Sequence, residues 1–313
     1  MGDLQAFLLS WTFEPTIFFG VVIAGWLYAR GWRRLRQRGQ GGNYLKPWRA
    51  WCYYGGLATV VIALMSPIAT FDSVFFFMHM TEHVLLIMIA APLIWLGAPM
   101  VPTLWAFNAD ARKRIGKVFH ERHPVNRFFT FLTRPGMALA IYVLVLFGWH
   151  FPPLYDAAQG STLIHEIEHA MFMAAALIFW WPVIHPSGAR RRLSYGAGIL
   201  YIFPAKIAGF VLGAGLTLSS EPFYQTFLDS PSIWGLDPLG DQQLGGLIMW
   251  VAGGLLYIIP LLALVLMMMR EDEGDIWIPE AVRTGRADAG TPDGATSRPA
   301  GHPARGHQTA GPA

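Results

Sequence analysis

The sequence predicts an all-α polytopic membrane protein, a bundle of seven transmembrane helices with its N-terminus outside and its C-terminus in the cytoplasm. Of the 313 residues, 54% are hydrophobic and only 14% are charged, whereas soluble domains carry about 25% charged residues. The apolar residues are grouped in blocks close to the roughly 20 residues that a helix needs to cross a bilayer. The basic residues cluster in alternate connections between these blocks. Together these features exclude a soluble globular domain.

Seven apolar blocks mark the predicted spans. They are Pro15–Trp32, Trp48–Thr70, Val74–Gly97, Pro135–His150, Leu163–Ile184, Tyr195–Leu218 and Leu244–Met269. The fourth block is the shortest. We assign residues 1–270 to the membrane domain and residues 271–313 to a cytoplasmic tail. After a charged start the tail is rich in Gly, Pro, Ala and Thr, a composition that predicts disorder.

The distribution of basic residues predicts the orientation of the bundle. Connections 30–49, 112–134 and 190–192 contain most of the Lys and Arg residues, and connections 71–73, 151–162 and 219–243 contain none. Basic loops of membrane proteins lie in the cytoplasm. This rule places the N-terminus outside and indicates a multi-pass membrane protein. Because topology already explains the basic loops, we expect no nucleic-acid partner.

The pattern H-x-x-E-H occurs twice, at the start of the third and of the fifth predicted span. Its members are His79, Glu82 and His83 in the first copy, and His165, Glu168 and His169 in the second. In a helix, positions i, i+3 and i+4 fall within an arc of about 100°. Each copy therefore presents two imidazoles and a carboxylate on one face, near the outer end of its span. Because ionisable groups inside a membrane are costly, two such faces packed together predict a metal site.

Further residues extend this candidate site. His150 ends the fourth span on the same outer side and can cap the site, and Met80 and Met173 share the faces of the two motifs. Neutral imidazole binds Zn, Cu, Fe and Ni, while thioether favours Cu(I). The carboxylates of Glu82 and Glu168 either bind the ion directly or orient the histidines.

Three more polar residues are candidates for a supporting role. Asp72 and Asp241 lie in outer connections, close to the two motifs in the predicted topology. Lys206 lies in the middle of the sixth span, where an unpaired ammonium is costly. We expect it to face the bundle interior and pair with a carboxylate, or to bind an acidic group of a partner. The outer connection 219–243 is acidic and aromatic, which favours attraction of a cation or of a donor protein.

Other protein classes contain related histidine patterns. H-x-x-E-H is also a metalloprotease signature, but here it is duplicated and embedded in spans. Haem between two helices is an alternative, although histidines at i and i+4 converge more naturally on one small ion. Membrane desaturases differ from this chain in histidine count and in the cytoplasmic placement of their clusters. The single cysteine, Cys52, excludes a C-x-x-C copper or redox motif within the chain.

Several short stretches occur in a characteristic order between residues 45 and 270. They are M-H-M-T-E-H-V-L-L at 78–86, A-P-L at 91–93, L-G-A-P at 96–99, P-L-Y-D at 153–156, the histidine pair at 165–169, W-W-P at 180–182, P-F-Y at 222–224 and D-Q-Q-L-G-G-L-I-M-W at 241–250. In order and spacing the chain resembles the seven-helix CtaG-like family, the assembly factors of caa3-type cytochrome c oxidase. Phe223 departs from the Leu that is usual in the family.

The resemblance implies a non-enzymatic factor that helps to mature the catalytic subunit of the oxidase at its copper centre. It implies copper as the bound ion, with zinc or haem as alternatives. The implied partners are the catalytic subunit and a periplasmic copper donor protein. Two other functions stay open at this point: a structural chaperone without bound metal, and a zinc-dependent integral membrane hydrolase.

Overall fold

The computed structural model describes residues 2–120, 122–186, 193–228 and 235–276, and within these ranges it contains helices and no strands. The all-α class is therefore confirmed for the described residues. The chain divides into one unit of residues 1–269 and a second of residues 270–313. Residues 277–313 of the predicted tail lie outside the described ranges. The description below concerns the first unit.

Twelve helices and helical segments organise the described part of this unit. In chain order they are α1 (Gly2–Leu9), α2 (Pro15–Gln37), α3 (Pro47–Thr70), α4 (Phe76–Leu96), α5 (Met100–Trp105), α6 (Ala109–Val118), α7 (Pro124–Leu132), α8 (Pro135–Trp149), α9 (Pro152–Gln159), α10 (Thr162–Ile184), α11 (Tyr195–Leu218) and α12 (Pro238–Arg270). The turns Gly42–Leu45 and Gln225–Phe227 are 3₁₀-helical.

Five of these helices, α3, α4, α10, α11 and α12, are long and apolar enough to cross a membrane. The short helix α8 becomes a sixth candidate only together with α7, from which it is bent by 69°. Helix α2 has 23 residues but ends in a basic turn with Arg34 and Arg36, and it is not among the candidates. The described residues thus give five or six candidate spans. The count of seven and the orientation of the termini stay predictions.

The basic end of α2 is held against the carboxyl end of α5. Arg34 donates hydrogen bonds to the carbonyls of Ala106 at 2.7 Å and Phe107 at 3.0 Å, and Arg30 donates to Ala106 at 3.1 Å. The last carbonyls of a helix lack partners within it and attract cations. Gly31 permits this approach, because a Cβ at this position would collide with the carbonyl of Pro102.

Helices α4 and α10 lie side by side and run in the same direction. The indole of Trp95 donates to the carbonyl of Leu177 at 2.7 Å, and the indole of Trp180 donates to that of Ile87 at 2.8 Å. Indole N–H groups shielded from water need such acceptors, so these two hydrogen bonds hold the second halves of the two helices together. The predicted third and fifth spans therefore pack together.

Both α4 and α12 contain a π-helical segment, Leu85–Ala90 and Ile248–Ala252 respectively. The segment in α4 begins two residues after His83. Such segments interrupt α-helical packing and occur frequently beside functional sites.

Candidate metal centre

The first two turns of α4 and of α10 bring four histidines together. The ring centroids of His79 and His165 are 5.1 Å apart, those of His79 and His169 are 5.4 Å apart, and those of His83 and His169 are 5.3 Å apart. The predicted convergence of the two H-x-x-E-H faces is thus present in the structure. Its physical basis is the parallel packing of two helices whose motifs begin at matching positions.

Each of the two glutamates contacts histidine on the other helix. Glu168 on α10 places Oε1 3.4 Å from Nε2 of His79 and 3.6 Å from Nε2 of His83. Glu82 on α4 places Oε2 3.2 Å from Nε2 of His169. Each carboxylate therefore faces the histidines of the other motif rather than those of its own.

Many polar atoms of this cluster are buried without a hydrogen-bond partner. They are both oxygens of Glu82, both ring nitrogens of His83, Oε2 of Glu168 and Nε2 of His169. The contact between His169 and Glu82 is close enough for an ion pair but lacks the geometry of a hydrogen bond. Buried polar groups without partners are costly and rare. The cluster is therefore a candidate for binding an ion through nitrogen and oxygen donors.

Two overlapping sets of donor atoms are close enough to hold an ion. One set is His79, Glu82, His165 and His169, the other is His79, His83 and Glu168, and the donor atoms within each set lie within 4.8 Å of one another. Two ligands at about 2.1 Å from one ion can be at most about 4.2 Å apart. The side chains thus need to close only slightly around an ion, and His79 belongs to both sets.

The orientation of His79 and His165 is fixed by neighbouring polar groups. The amide of Gln159 donates to Nδ1 of His79 at 3.0 Å, which leaves Nε2 of His79 to face Glu168. Nε2 of His165 lies 3.3 Å from Nδ1 of His79 and 3.4 Å from Oδ2 of Asp72. Burial raises the pKa of the Asp72 carboxyl to about 8, and Glu82 contributes to the shift.

His150 and Met80 form a second, softer pair beside the cluster. Nδ1 of His150 lies 2.7 Å from the carbonyl of Leu146, so this nitrogen carries the proton and Nε2 is left with a lone pair. Nε2 lies 3.3 Å from the sulfur of Met80, and the ring centroid lies 6.1 Å from that of His83. Two buried donors thus face each other, although neither belongs to the two ligand sets above.

A cavity of about 510 Å³ adjoins the cluster. It is lined by Glu14, Asp72, Glu82, His165, Glu166, His169, Ala170 and Met173, among others. Met173 therefore lies on the wall of this cavity, as expected for a residue on the face of the second motif. The acidic residues of the wall make the cavity suited to a cation.

Asp241 and Lys206 have different positions relative to the cluster. Asp241 accepts hydrogen bonds from the backbone N–H groups of Phe76 at 2.7 Å and Phe77 at 3.0 Å, so it supports the start of α4. Lys206 does not line the cavity beside the cluster and lies in a groove between α11 and α12.

Two residues near the cluster were not among the sequence-predicted site residues. Tyr155 is fully buried, its ring centroid lies 5.2 Å from that of His79, and its hydroxyl has no hydrogen-bond partner. Burial raises the pKa of this hydroxyl well above its usual value, and Glu168 adds to the effect. Tyr155 belongs to the P-L-Y-D stretch, and this sequence pattern could have marked it as a site residue. No sequence pattern marks Gln159.

The comparison with protein families bears on these same elements. The sequence model of the cytochrome c oxidase caa3 assembly factor family matches residues 26–271 of the chain. The chain belongs to this family. The resemblance drawn from the short stretches is thereby confirmed, and the match spans α3 to α12 and the second half of α2.

Curated proteins similar to this chain come from mycobacteria and are described only as uncharacterized. Those of Mycobacterium bovis and Mycobacterium tuberculosis are each 29% identical over 273 residues, covering 85% of this chain and 40% of the relative. That of Mycobacterium leprae is 28% identical over 287 residues, covering 86% of this chain and 41% of the relative. The chain thus spans about two fifths of the length of these relatives. No solved structure matches the chain.

Proposed function

We propose that this assembly factor binds copper in the α4–α10 cluster and aids maturation of the copper centre of cytochrome c oxidase. The observation that carries the proposal is the set of four histidines and two glutamates, of which both glutamates, His79, His83 and His169 are buried. Their unpartnered atoms favour a bound ion over an internal hydrogen-bond network. Membership of the caa3 assembly factor family supports the oxidase as the recipient.

The donor chemistry favours copper among the ions that imidazole binds. Affinity for nitrogen and oxygen ligands rises along the first-row divalent ions to Cu(II) and falls again at Zn(II). The thioethers of Met80 and Met173 add the soft donors that Cu(I) prefers. His79, His83, His165 and His169 would hold the ion, and Glu82 and Glu168 would balance its charge. His150, at the end of α8, and Met80 would be additional ligands of the ion.

A seven-span topology would place this cluster at the outer face of the inner membrane. In this topology α2 is the first span and α8 is the fourth, with the N-terminus outside and residues 271–313 inside as a tail. The support is the absence of Lys and Arg from connections 71–73, 151–162 and 219–243. The two motifs lie beside the first two of these connections.

The proposed partners are the catalytic subunit of the oxidase and a periplasmic copper donor protein. The described residues of the outer connection include Glu221 and Asp237, which suit a cation-carrying donor. The cluster would bind and release copper as cargo without catalysing a reaction, so the proposed role is not enzymatic.

Metal analysis of the purified chain tests the proposal directly. His83→Ala and His169→Ala should each lower copper affinity by a factor of about 10 or more, and both should lower copper loading of a co-expressed oxidase. The matched control is His120→Ala, because His120 is exposed in the basic connection between α6 and α7.

Three results would separate the alternatives. Zinc retained in preference to copper under equal supply would favour a zinc protein. Full copper content in both cluster variants would contradict the proposed site. Normal oxidase activity despite loss of copper from the chain would leave a metal site without the proposed role in assembly.

A further inference from the structure

Lys206 lies at the middle of α11, far from both ends of the helix. It follows Tyr195 by 11 residues and precedes Leu218 by 12, which at 1.5 Å per residue is roughly 16–18 Å in each direction. A lysine near a span end extends its ammonium to the lipid headgroups. At this distance the headgroup region is out of reach of the side chain.

The surroundings of Lys206 form an apolar groove of about 510 Å³ between α11 and α12. The side chains along it point outward from the bundle: Phe203 is 56% exposed, Leu255 is 60% exposed and Ile258 is 49% exposed. The groove therefore opens toward the lipid and not toward the interior. Lys206 itself is half-buried in it.

No carboxylate lines this groove within the described residues, and no ion pair or hydrogen bond of Lys206 is found there. The remaining lining residues are Ile207, Gly209, Phe210, Met249, Trp250, Val251, Gly254 and Tyr257. The ammonium is thus not neutralised by the described part of its own bundle. An unpaired charge at this depth of a membrane is a strong indication of an external partner.

Two glycines leave space in the groove for the close approach of another helix. Open space surrounds the positions that a Cβ would occupy at Gly209 and at Gly254, with no atom within 4 Å. Small residues allow helix backbones to approach closely inside a membrane. The groove thus combines a close-approach surface with one unpaired positive charge.

We propose that this groove binds a transmembrane helix of a partner protein that carries a carboxylate at mid-membrane depth. A second copy of this chain is a poor match. In the described candidate spans the acidic residues are Glu82, Glu166, Glu168 and Asp241, and all lie within the first two turns of their helices. The partner is therefore a different protein, and the inference is independent of the metal site.

A designed peptide in liposomes provides the test. The probe is a leucine-rich transmembrane peptide with one central Glu, compared with the same peptide containing Gln, in phosphatidylcholine bilayers. Energy transfer is measured to a dye at Ile258→Cys in the Cys52→Ser chain. The Glu peptide should associate at least threefold more than the Gln peptide, and a dye at Leu144→Cys on α8, which is 72% exposed, should report no such difference.

Variants of the groove distinguish charge from shape. Lys206→Met should abolish the preference for the Glu peptide, Lys206→Arg should keep it, and Gly254→Phe should weaken binding of both peptides by filling the groove. The unfolding temperature in detergent should not fall in any of the three variants, which verifies folding independently of the metal site. Equal association of both peptides with the unaltered groove would overturn the proposal. So would displacement of the Glu peptide by phosphatidylglycerol, because the groove would then be a lipid site.

Discussion

Asp241 on α12 caps the first turn of α4, since its Oδ2 accepts a hydrogen bond from the backbone N–H of Phe76 at 2.7 Å. Its Oδ1 accepts another from Phe77 at 3.0 Å. The first N–H groups of a helix have no partners within it, and a carboxylate there also interacts favourably with the helix dipole. His79 follows within one turn. A carboxylate from a distant helix thus fixes the start of the segment that carries the first histidine pair.

Asp241→Ala should lower both the stability of the fold and the affinity for copper. Loss of a helix cap costs about 1 kcal/mol, and loss of a group that supports metal ligands lowers metal affinity by a factor of about 10. Unfolding in detergent and copper competition titration measure the two effects. Asp237→Ala is the matched control, because Asp237 caps its own helix by accepting from Gly240 at 2.8 Å. The Asp237→Ala variant should lose a similar amount of stability and keep its copper affinity. Equal affinity losses in the two variants would contradict the supporting role of Asp241.

Met80→Leu should reduce affinity for Cu(I) much more than affinity for Zn(II). The sulfur of Met80 lies 3.3 Å from Nε2 of His150, and thioether is a good ligand for Cu(I) but not for Zn(II). A Met-to-Leu exchange conserves volume and typically costs less than about 1.5 kcal/mol of stability. Met78→Leu, at another buried methionine of the same helix, is the control. An unchanged ratio of Cu(I) to Zn(II) affinity in Met80→Leu would exclude the sulfur from the site.

Ala170→Trp should slow copper loading without changing the final copper content. Ala170 lines the cavity beside His169 and Met173, so a bulky side chain there narrows the approach to the cluster. The measurement is stopped-flow mixing of the chain with a chelated Cu(I) donor. Ala174→Trp, one turn further along α10 and exposed, should load at the original rate. Unaltered loading in Ala170→Trp would show that ions reach the cluster by another path.

The helical class and the two motif faces were predictable because both depend on local patterns. Apolar blocks of bilayer length predict spans wherever they occur, and i, i+3, i+4 spacing fixes one face of a helix regardless of its neighbours. Some boundaries differ from the prediction. The last span begins at Pro238 rather than Leu244, because Asp237 caps it and Pro238 occupies its first turn.

The cross-helix details were not predictable from these patterns. Which histidine faces Glu82 or Glu168 depends on how α4 and α10 are rotated about their axes, and this rotation is set by contacts such as Trp95 with Leu177. Gln159 reaches His79 from α9, a short helix that contains no histidine and lies outside the two H-x-x-E-H motifs. For Lys206, the position in the middle of a span was predictable, but its location in an outward-facing groove depends on the packing of α11 against α12.

The orientation of the bundle can be tested at the two ends of α11. Ser220 and Ser194 flank this helix and are both exposed. In the Cys52→Ser background, a membrane-impermeant maleimide should label Ser220→Cys in intact cells and Ser194→Cys only after permeabilisation. The carbonyl of the adjacent Ser219 accepts a hydrogen bond from the side-chain amide of Gln243 at 3.0 Å. Gln243 lies two residues after Asp241, the residue that caps α4. Labelling at position 220 therefore reports the side of the membrane on which the histidine cluster lies. The reverse labelling pattern would place the cluster at the cytoplasmic face, where a periplasmic donor could not reach it.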